Sequence, residues 1–232
     1  YGEVNPSGHL SDTFAYDIMT NPSAIWTTTK YKDSTWADHL DKVAGIYVGY
    51  KWYETADAEG LWSEQNGYPG GYDSVVQFPF GYGLSYTDFE WTVDEIKIDG
   101  TPAAEGAQLA ANSKVEFTVT VTNTGERAGR DVVEVYCTPP YTDGGIEKSF
   151  VNLVGYGKTN EIEPKGSETI TVTADMYDVA SYDCYDKNGN GFKGWELDDG
   201  DYLFKLMTDS HNIKTVTYGG GSREGSFTFN IG

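Results

Sequence analysis

The chain has 232 residues, of which 36 are acidic and 16 are basic, so its formal net charge is −20. Nucleic acids and anionic membrane surfaces are therefore excluded as expected partners, because both require clustered lysine and arginine. The 18 Tyr, 10 Phe and 6 Trp exclude intrinsic disorder, and the 28 Gly favour a turn-rich β architecture in one or two domains.

The first ninety residues have an irregular pattern with many turn signals. The longest apolar run, residues 43–50, is too short to span a bilayer. The β-branched and aromatic residues of Gly45–Tyr53 predict a strand, and His39–Ala44 has room for one or two helical turns. The chain opens on Tyr1 with no signal-peptide pattern, so we expect a processed or truncated start, and a soluble protein whose compartment, cytoplasmic or secreted, is unknown.

Residues 91–232 have the pattern of an antiparallel β-sandwich. In residues 115–122 apolar side chains alternate with Glu and Thr, which predicts one buried and one solvated face. About seven such strands, separated by turns, are typical of an immunoglobulin-like or fibronectin type III-like sandwich. The other predicted strands centre on Val93–Ile98, Val133–Cys137, Leu153–Tyr156, Ile170–Val172, Tyr202–Leu206 and Phe227–Ile231.

Five segments in register resemble glycoside hydrolase family 3, the β-glucosidase family. Residues 5–14 (NPSGHLSDTF) are similar to its NPSGRLPxTF segment, and residues 45–53 (GIYVGYKWY) to its GIYVGYRYYD segment. Residues 78–87 (FPFGYGLSYT) match a further family segment. Short segments farther along the chain resemble its fibronectin-like domain: residues 119–125, 128–129, 133–136, 180–183 and 195–198.

This resemblance implies a mainly β fragment with two parts. Residues 1–90 would be the end of an α/β sandwich domain with a long loop at 54–77, and residues 91–232 the fibronectin type III-like domain. The partners of this chain would be the family's TIM-like barrel, which carries an Asp nucleophile, and the rest of the α/β domain, which carries a Glu general acid. The substrate would be a β-glucoside or oligosaccharide. Gln77 directly before Phe78 resembles a subset with swapped domain order, so the barrel could lie on either side.

The resemblance also implies that the chemistry lies elsewhere. Retaining glycosidases need two carboxyl groups about 5–5.5 Å apart, and neither family motif for the nucleophile or the acid is present here. Glu3 stands in a structural turn, so the acid is not assigned to it. We therefore expect the non-catalytic portion of a β-glucosidase, inactive alone, with no catalytic residue, metal or cofactor.

Aromatic residues of the long loop are the candidate substrate contacts. Trp62, Tyr68 and Tyr72 could line an outer subsite, because aromatic rings stack on the apolar faces of sugars. The alternative is that they pack the loop onto its own scaffold, which is the more common role of scattered aromatics.

Three other features have weaker functional interpretations. Asp186–Gly191 imitates a calcium loop, but position twelve is Leu197 and no helix pattern flanks it, so a polar hairpin turn is favoured over 186–198. Cys137 and Cys184 lack metal or redox spacing, and two free thiols are the plainer expectation over a bridge. The histidines, His9, His39 and His211, are too scattered to indicate a metal site.

Two rival functions remain open from the residues alone. A free-standing carbohydrate-binding or adhesive β-module would bind glucan without a partner. A dockerin-like adaptor would be stabilised by calcium. The irregular first ninety residues argue against a free-standing module, because they need another surface to fold on.

Overall fold

A computed structural model describes residues 2–22, 24 and 45–232. Two sheets, built mostly of antiparallel strands, face each other within residues 89–231. One has the strand order β14-β11-β6-β7, and the other has the order β13-β12-β3-β5-β8, with β4 paired to the end of β3. Their bounds are Phe89–Ile98 (β3), Thr101–Pro102 (β4), Lys114–Asn123 (β5), Val132–Thr138 (β6), Asn152–Lys158 (β7), Ser167–Asp175 (β8), Gly200–Met207 (β11), Thr215–Tyr218 (β12), Gly221–Glu224 (β13) and Ser226–Ile231 (β14).

Alternating apolar residues of the two sheets form the main core. Val115, Phe117, Val119 and Val121 of β5 are completely buried, as the alternation predicts. From the opposite sheet they meet a set of equally buried side chains, which includes Val133, Val135, Cys137, Phe204, Phe227 and Phe229. The predicted mainly β sandwich is confirmed, and all seven predicted strands are present.

The outer face of β5 carries a ladder of hydroxyl groups. Thr118 and Thr120 pair with Thr171 and Thr169 of β8, with oxygen–oxygen distances of 3.3 and 2.7 Å. Such cross-strand pairs stabilise the register in which β5 and β8 meet. The polar side chains on the outer face of β5 therefore also stabilise the sheet.

The predicted strand at Gly45–Tyr53 is wrong. Gly45 and Gly49 have φ angles of 56° and 58°, which interrupt an extended chain. The helix α1 begins at Tyr50 and continues to Ala58. Tyr50 and Tyr53 lie three apart on one helical face, and Tyr53 is buried, so tertiary packing overrides the strand preference of these aromatic residues. The predicted turns at His39–Ala44 lie outside the described residues.

The remaining elements of the first ninety residues are short. Phe14–Ala15 (β1) pairs with Val76–Phe78 (β2), and 3-10 helices occupy Ile18–Thr20, Glu64–Asn66 and Gly71–Ser74. In the sandwich, a further 3-10 helix spans Met176–Val179 and a hairpin joins Ser181–Asp183 (β9) to Gly194–Glu196 (β10). No helix within the described ranges has the length and hydrophobicity needed to span a membrane.

Helix α1 packs on the outer face of β6 and β7. The Tyr50 ring lies edge-on to Tyr136 of β6 with centroids 5.9 Å apart. Its hydroxyl accepts a hydrogen bond of 2.9 Å from the Leu153 amide of β7. One turn later, the Thr55 hydroxyl accepts from the Phe150 amide at 2.9 Å. The sheet β14-β11-β6-β7 thus has the other sheet on one face and α1 over part of β6 and β7 on the opposite face.

Candidate functional site

The predicted substrate contacts Trp62 and Tyr68 lie in a small aromatic cluster beside α1. Trp62 is buried, its ring is stacked on Tyr53 with centroids 6.2 Å apart, and its indole N–H donates to the Tyr53 carbonyl at 3.0 Å. Tyr68 is half-buried and meets the Trp62 ring edge-on at 4.9 Å. The Trp62 donor is therefore already occupied, and Tyr68 is the more accessible of the two.

Tyr72, the third predicted contact, belongs to a buried polar network centred on Glu54. The Tyr72 hydroxyl donates to Glu54 Oε1 at 2.5 Å, and the Ser210 hydroxyl donates to the same oxygen at 2.9 Å. His211 Nδ1 lies 2.8 Å from Glu54 Oε2. The Tyr72 and His211 rings are stacked, with centroids 3.7 Å apart and planes 7° from parallel. The network joins α1, the long loop and the turn after β11.

Burial and the Glu54 charge set the protonation of this network. Burial raises the pKa of Tyr72, and the charge and hydrogen bond of Glu54 raise it further, so the tyrosine is neutral and donates. Burial lowers the pKa of His211, but the hydrogen bond and charge of Glu54 outweigh it and raise the pKa overall. The cation of His211 is therefore stabilised by Glu54.

The assignment of Trp62, Tyr68 and Tyr72 to an outer subsite stays a prediction. The Trp62 indole N–H and the Tyr72 hydroxyl both donate hydrogen bonds to other groups of this chain. Sequence reasoning missed Glu54 and His211, since a glutamate in an aromatic run and an isolated histidine gave no signal that they would meet.

A second buried carboxylate, Glu134 of β6, lies beneath the turn of the FPFGYG segment. It accepts a hydrogen bond of 2.6 Å from the Tyr136 hydroxyl, and His9 Nδ1 lies 3.7 Å from its Oε1. His9 Nδ1 also contacts the Gly81 carbonyl. A Cβ at Gly81, where φ is 85°, would come within 2.5 Å of Glu134 Oε2, so only glycine lets the turn approach this closely.

The environment of Glu134 disfavours its charge. Burial raises its pKa to about 7, the Tyr136 hydrogen bond opposes the rise, and the neighbouring charge of Asp209 adds to it. The alternation along β6 predicted burial only for the residues that face the core between the sheets, Val133, Val135 and Cys137. The opposite face is buried as well, because α1 and the FPFGYG turn cover it.

The loop 186–198 is a hairpin stabilised by its own polar side chains. Asp186 Oδ1 accepts from the Gly191 amide at 3.0 Å, and the Asn188 and Asn190 side-chain amides both donate to Glu196 Oε2. Strand β9 precedes this segment and β10 lies within it, and the two pair antiparallel, which confirms the hairpin. Across residues 2–22, 24 and 45–232, no three His, Cys, Asp or Glu side chains are grouped as a metal site.

Both cysteines are free thiols, as the spacing indicated. Cys137 is fully buried in the core between the sheets, and burial raises the pKa of its thiol. Cys184 is exposed in the loop after β9. Neither position therefore contributes a bridge to the stability of the sandwich.

An apolar cavity of about 430 Å³ opens between the residue 5–14 segment and the FPFGYG segment. The two segments are joined by backbone bonds, from the Leu10 amide to the Tyr82 carbonyl at 2.9 Å and from the Gly81 amide to the Leu10 carbonyl at 2.8 Å. The apolar side chains that line the cavity are Pro6, Leu10, Phe14, Phe78, Tyr82 and Leu84. This apolar surface is a candidate interface.

The two facing sheets define a fibronectin type III-like sandwich. Residues 131–210 match the family described as Fn3-like, the fibronectin type III-like domain. This match lies inside the sandwich predicted for residues 91–232.

Similar proteins extend the comparison over nearly the whole chain. β-Glucosidase A of Butyrivibrio fibrisolvens is 34% identical over 222 residues, which are 94% of this chain and 24% of that protein. A β-glucosidase of Ruminococcus albus is 34% identical over 213 residues, 92% of this chain and 18% of that protein. The crystal structure of a β-glucosidase from Paenibacillus barengoltzii superposes with a TM-score of 0.70 at 30% identity, covering 98% of this chain and 21% of that one.

These findings confirm the resemblance to the β-glucosidases of glycoside hydrolase family 3. The chain spans about a quarter or less of the length of these relatives. It is similar to a portion of them that contains the fibronectin type III-like domain.

Proposed function

We propose that this chain is the non-catalytic portion of a retaining β-glucosidase, and that the nucleophile and the acid/base lie outside it. The observation that carries this proposal is the uncovered apolar surface of the first ninety residues. Among the described residues of this part, eight large hydrophobic side chains are at least 40% exposed: Val4, Phe14, Tyr16, Ile18, Ile46, Val48, Leu84 and Tyr86. An exposed set of this kind, beside the apolar cavity, is typical of an interface whose partner is absent.

The contacts of two buried carboxylates, Glu54 and Glu134, support the location of the chemistry outside this chain. Glu54 is engaged by Tyr72, Ser210 and His211, and Glu134 by Tyr136, so each serves an internal contact. A retaining pair would instead face a shared space that admits the sugar. Hydrolysis of β-glucosides would therefore require the barrel and the rest of the α/β domain.

The sandwich would brace the α/β domain in the whole enzyme. Bonds between the two parts support this role: Tyr50 with Leu153, Thr55 with Phe150, and Glu54 with Ser210 and His211. The Glu54 network would also hold the long loop at Tyr72, and would thereby fix the place of its aromatic residues.

Activity measurements test the location of the chemistry. The 232-residue chain is expected to hydrolyse no aryl β-glucoside, whereas the enzyme that contains it together with its barrel does. Turnover by the purified chain above a buffer blank would refute the proposal.

A charge placed on the exposed apolar surface tests the interface. In the whole enzyme Leu84→Glu is expected to lower the melting temperature, because Leu84 would be covered by the partner domains. In the isolated chain the same variant should melt as the wild type does, since Leu84 is 65% exposed there. Tyr177→Glu, at 68% exposure on the sandwich, is the matched control and should change neither protein. An unaffected whole enzyme would contradict the proposed interface.

A further inference from the structure

Three carboxylates are buried where the first ninety residues meet the sandwich, and we call them the carboxylate seam. They are Glu54 of α1, Glu134 of β6 and Asp209 of the turn after β11, with exposures of 4%, 5% and 4%. The charge of Asp209 raises the pKa of both Glu134 and His211, so the three elements are linked electrostatically. Like charges buried together are costly unless some of them are neutralised or paired.

The turn of the FPFGYG segment closes directly over this seam. The Ser210 amide donates a hydrogen bond of 2.8 Å to the Phe80 carbonyl. A Cβ at Gly81 would lie 2.5 Å from Glu134 Oε2 and 3.0 Å from the Asp209 Cα. A new charge on Glu134 therefore appears directly under the turn.

The titratable groups that face Glu134 come from four elements. Tyr136 of β6 donates to it, and His9 Nδ1 of the residue 5–14 segment lies 3.7 Å from it. Asp209 faces it from the turn after β11, and Tyr50 faces it from α1. Of these four groups only the His9 imidazole can carry a positive charge, so the surroundings give an ionised Glu134 little compensation.

The groups that face His211 are mainly acids. Glu54 and Asp57 face it from α1, and Asp209 faces it from its own turn. The Tyr72 ring of the long loop is stacked on the imidazole. The side chain of His211 is 30% exposed, so its proton can exchange with solvent. The His211 cation is therefore a positive charge that compensates the seam and that pH can remove.

Raising the pH changes the charge of this region twice in the same direction. Burial raises the pKa of Glu134 to about 7, so near neutrality it gains a negative charge beside Asp209. Burial lowers the pKa of His211, but Glu54 raises it overall, so the imidazole loses its positive charge above its usual range. Both steps leave more uncompensated negative charge in a buried region. Both therefore favour an arrangement in which water reaches the carboxylates.

We propose that the carboxylate seam is a pH-sensitive clasp, which holds the FPFGYG turn on the sandwich below neutral pH and opens more often as the pH rises, while the two sheets stay folded. The segment that is released carries Phe78, Tyr82 and Leu84 of the apolar cavity, so the clasp controls the shape of that surface. The clasp is internal to this chain and goes beyond the proposed function, which concerns the location of the chemistry.

Amide hydrogen exchange of the 232-residue chain between pH 6 and pH 8 tests the clasp. The Ser210 amide reports on the turn, because it bonds to the Phe80 carbonyl, and the amides of β5 report on the sandwich. Protection factors, which remove the intrinsic effect of pH on exchange, give the equilibrium constant for opening. For Ser210 this constant should rise about tenfold through Glu134 alone, since release would return its pKa from about 7 to 4.5.

Dilute urea separates release of the turn from unfolding of the whole chain. Exchange through unfolding becomes faster with urea, whereas exchange through a small local opening hardly changes. The Ser210 amide should therefore be less protected than the β5 amides and less sensitive to urea. Equal protection and equal urea dependence at both places would overturn the clasp, as would an opening constant of Ser210 that does not rise with pH.

Glu134→Gln identifies the group that loses the proton. Between pH 6 and pH 8 the rise in the Ser210 opening constant should be about tenfold smaller in this variant than in the wild type. Glu161→Gln, at an exposed glutamate in the loop after β7, is the matched control and should show the wild-type rise. An undiminished rise in Glu134→Gln would overturn the clasp.

The wild-type measurements decide between local and global opening even if Glu134→Gln does not fold. Turnover of an aryl β-glucoside by the chain would refute the proposed function and would leave the exchange results intact. The two failures are therefore distinguishable.

Discussion

Glu134 is expected to make the stability of this protein depend on pH through a buried carboxylate. Its folded-state pKa is about 7 against an ordinary value of 4.5, chiefly because burial removes the carboxylate from water. The folded chain therefore holds a proton on Glu134 between these two pH values, whereas the unfolded chain has released it. Stability falls as pH rises through this window, and the full cost is present above pH 7. Glu134→Gln removes the titration and keeps an oxygen that can accept from Tyr136.

The size of the effect follows from the two pKa values. Their separation corresponds to roughly 3 kcal/mol between pH 4.5 and pH 8. The Tyr136 hydrogen bond is already included in the folded value, because it opposes the rise. His9 lies 3.7 Å away and Asp209 is also near, so both are left unchanged in the variant. As pH rises, the free energy of unfolding of Glu134→Gln should increase relative to that of the wild type by up to this amount.

Urea unfolding of both proteins at pH 5, 6, 7 and 8 measures the effect. The free-energy difference between Glu134→Gln and the wild type should move steadily in favour of the variant over this range. Glu161→Gln, at an exposed glutamate in the loop after β7, is the matched control and should show no comparable trend. A difference for Glu134→Gln that stays constant with pH would refute the reasoning.

Three further substitutions test the packing around the site by urea unfolding. His211→Asn should lower the free energy of unfolding most below pH 6.5, where the His211 cation pairs with Glu54. This loss should shrink as pH rises through the folded-state pKa of His211, which is raised. A loss that does not change with pH would contradict the ion pair. Tyr72→Phe keeps the ring on His211 but removes the bond to Glu54, so we expect a loss of about 1–3 kcal/mol, and no loss would show that this bond is not stabilising. Gly155→Ala places a Cβ 2.6 Å from the Thr173 carbonyl oxygen and should lower the free energy of unfolding by roughly 1–3 kcal/mol. The control Gly157→Ala should lower it less, because the nearest atoms there are movable methyl groups of Val172 and Ile170 at 3.1–3.2 Å. Equal losses in the two variants would argue against a rigid contact between β7 and β8.

The strands of the sandwich could be predicted because their signal is local. Alternation in residues 115–122 fixes which face of β5 is apolar, and the turn residues on either side fix where it ends. The same argument fails at Gly45–Tyr53. Aromatic residues suit strands and buried helical faces alike, and the packing of Tyr50 on Tyr136 decides in favour of α1.

The buried polar groups could not be predicted from sequence. Glu54 and His211 are 157 residues apart along the chain, and their meeting depends on where α1 lies against the turn after β11. Glu134 occupies a position in β6 that alternation would direct away from the core. Its burial follows only from the elements that cover the second face of that sheet.

The amino-acid sequence by itself determined the sandwich, its strands and the resemblance to family 3 β-glucosidases, because periodicity and contiguous segments are properties of neighbouring residues. The tertiary structure alone decided that Glu54, Tyr72 and His211 form one network and that Glu134 is buried. The physical reason is that burial and hydrogen bonding of polar groups depend on which distant segments exclude water from them.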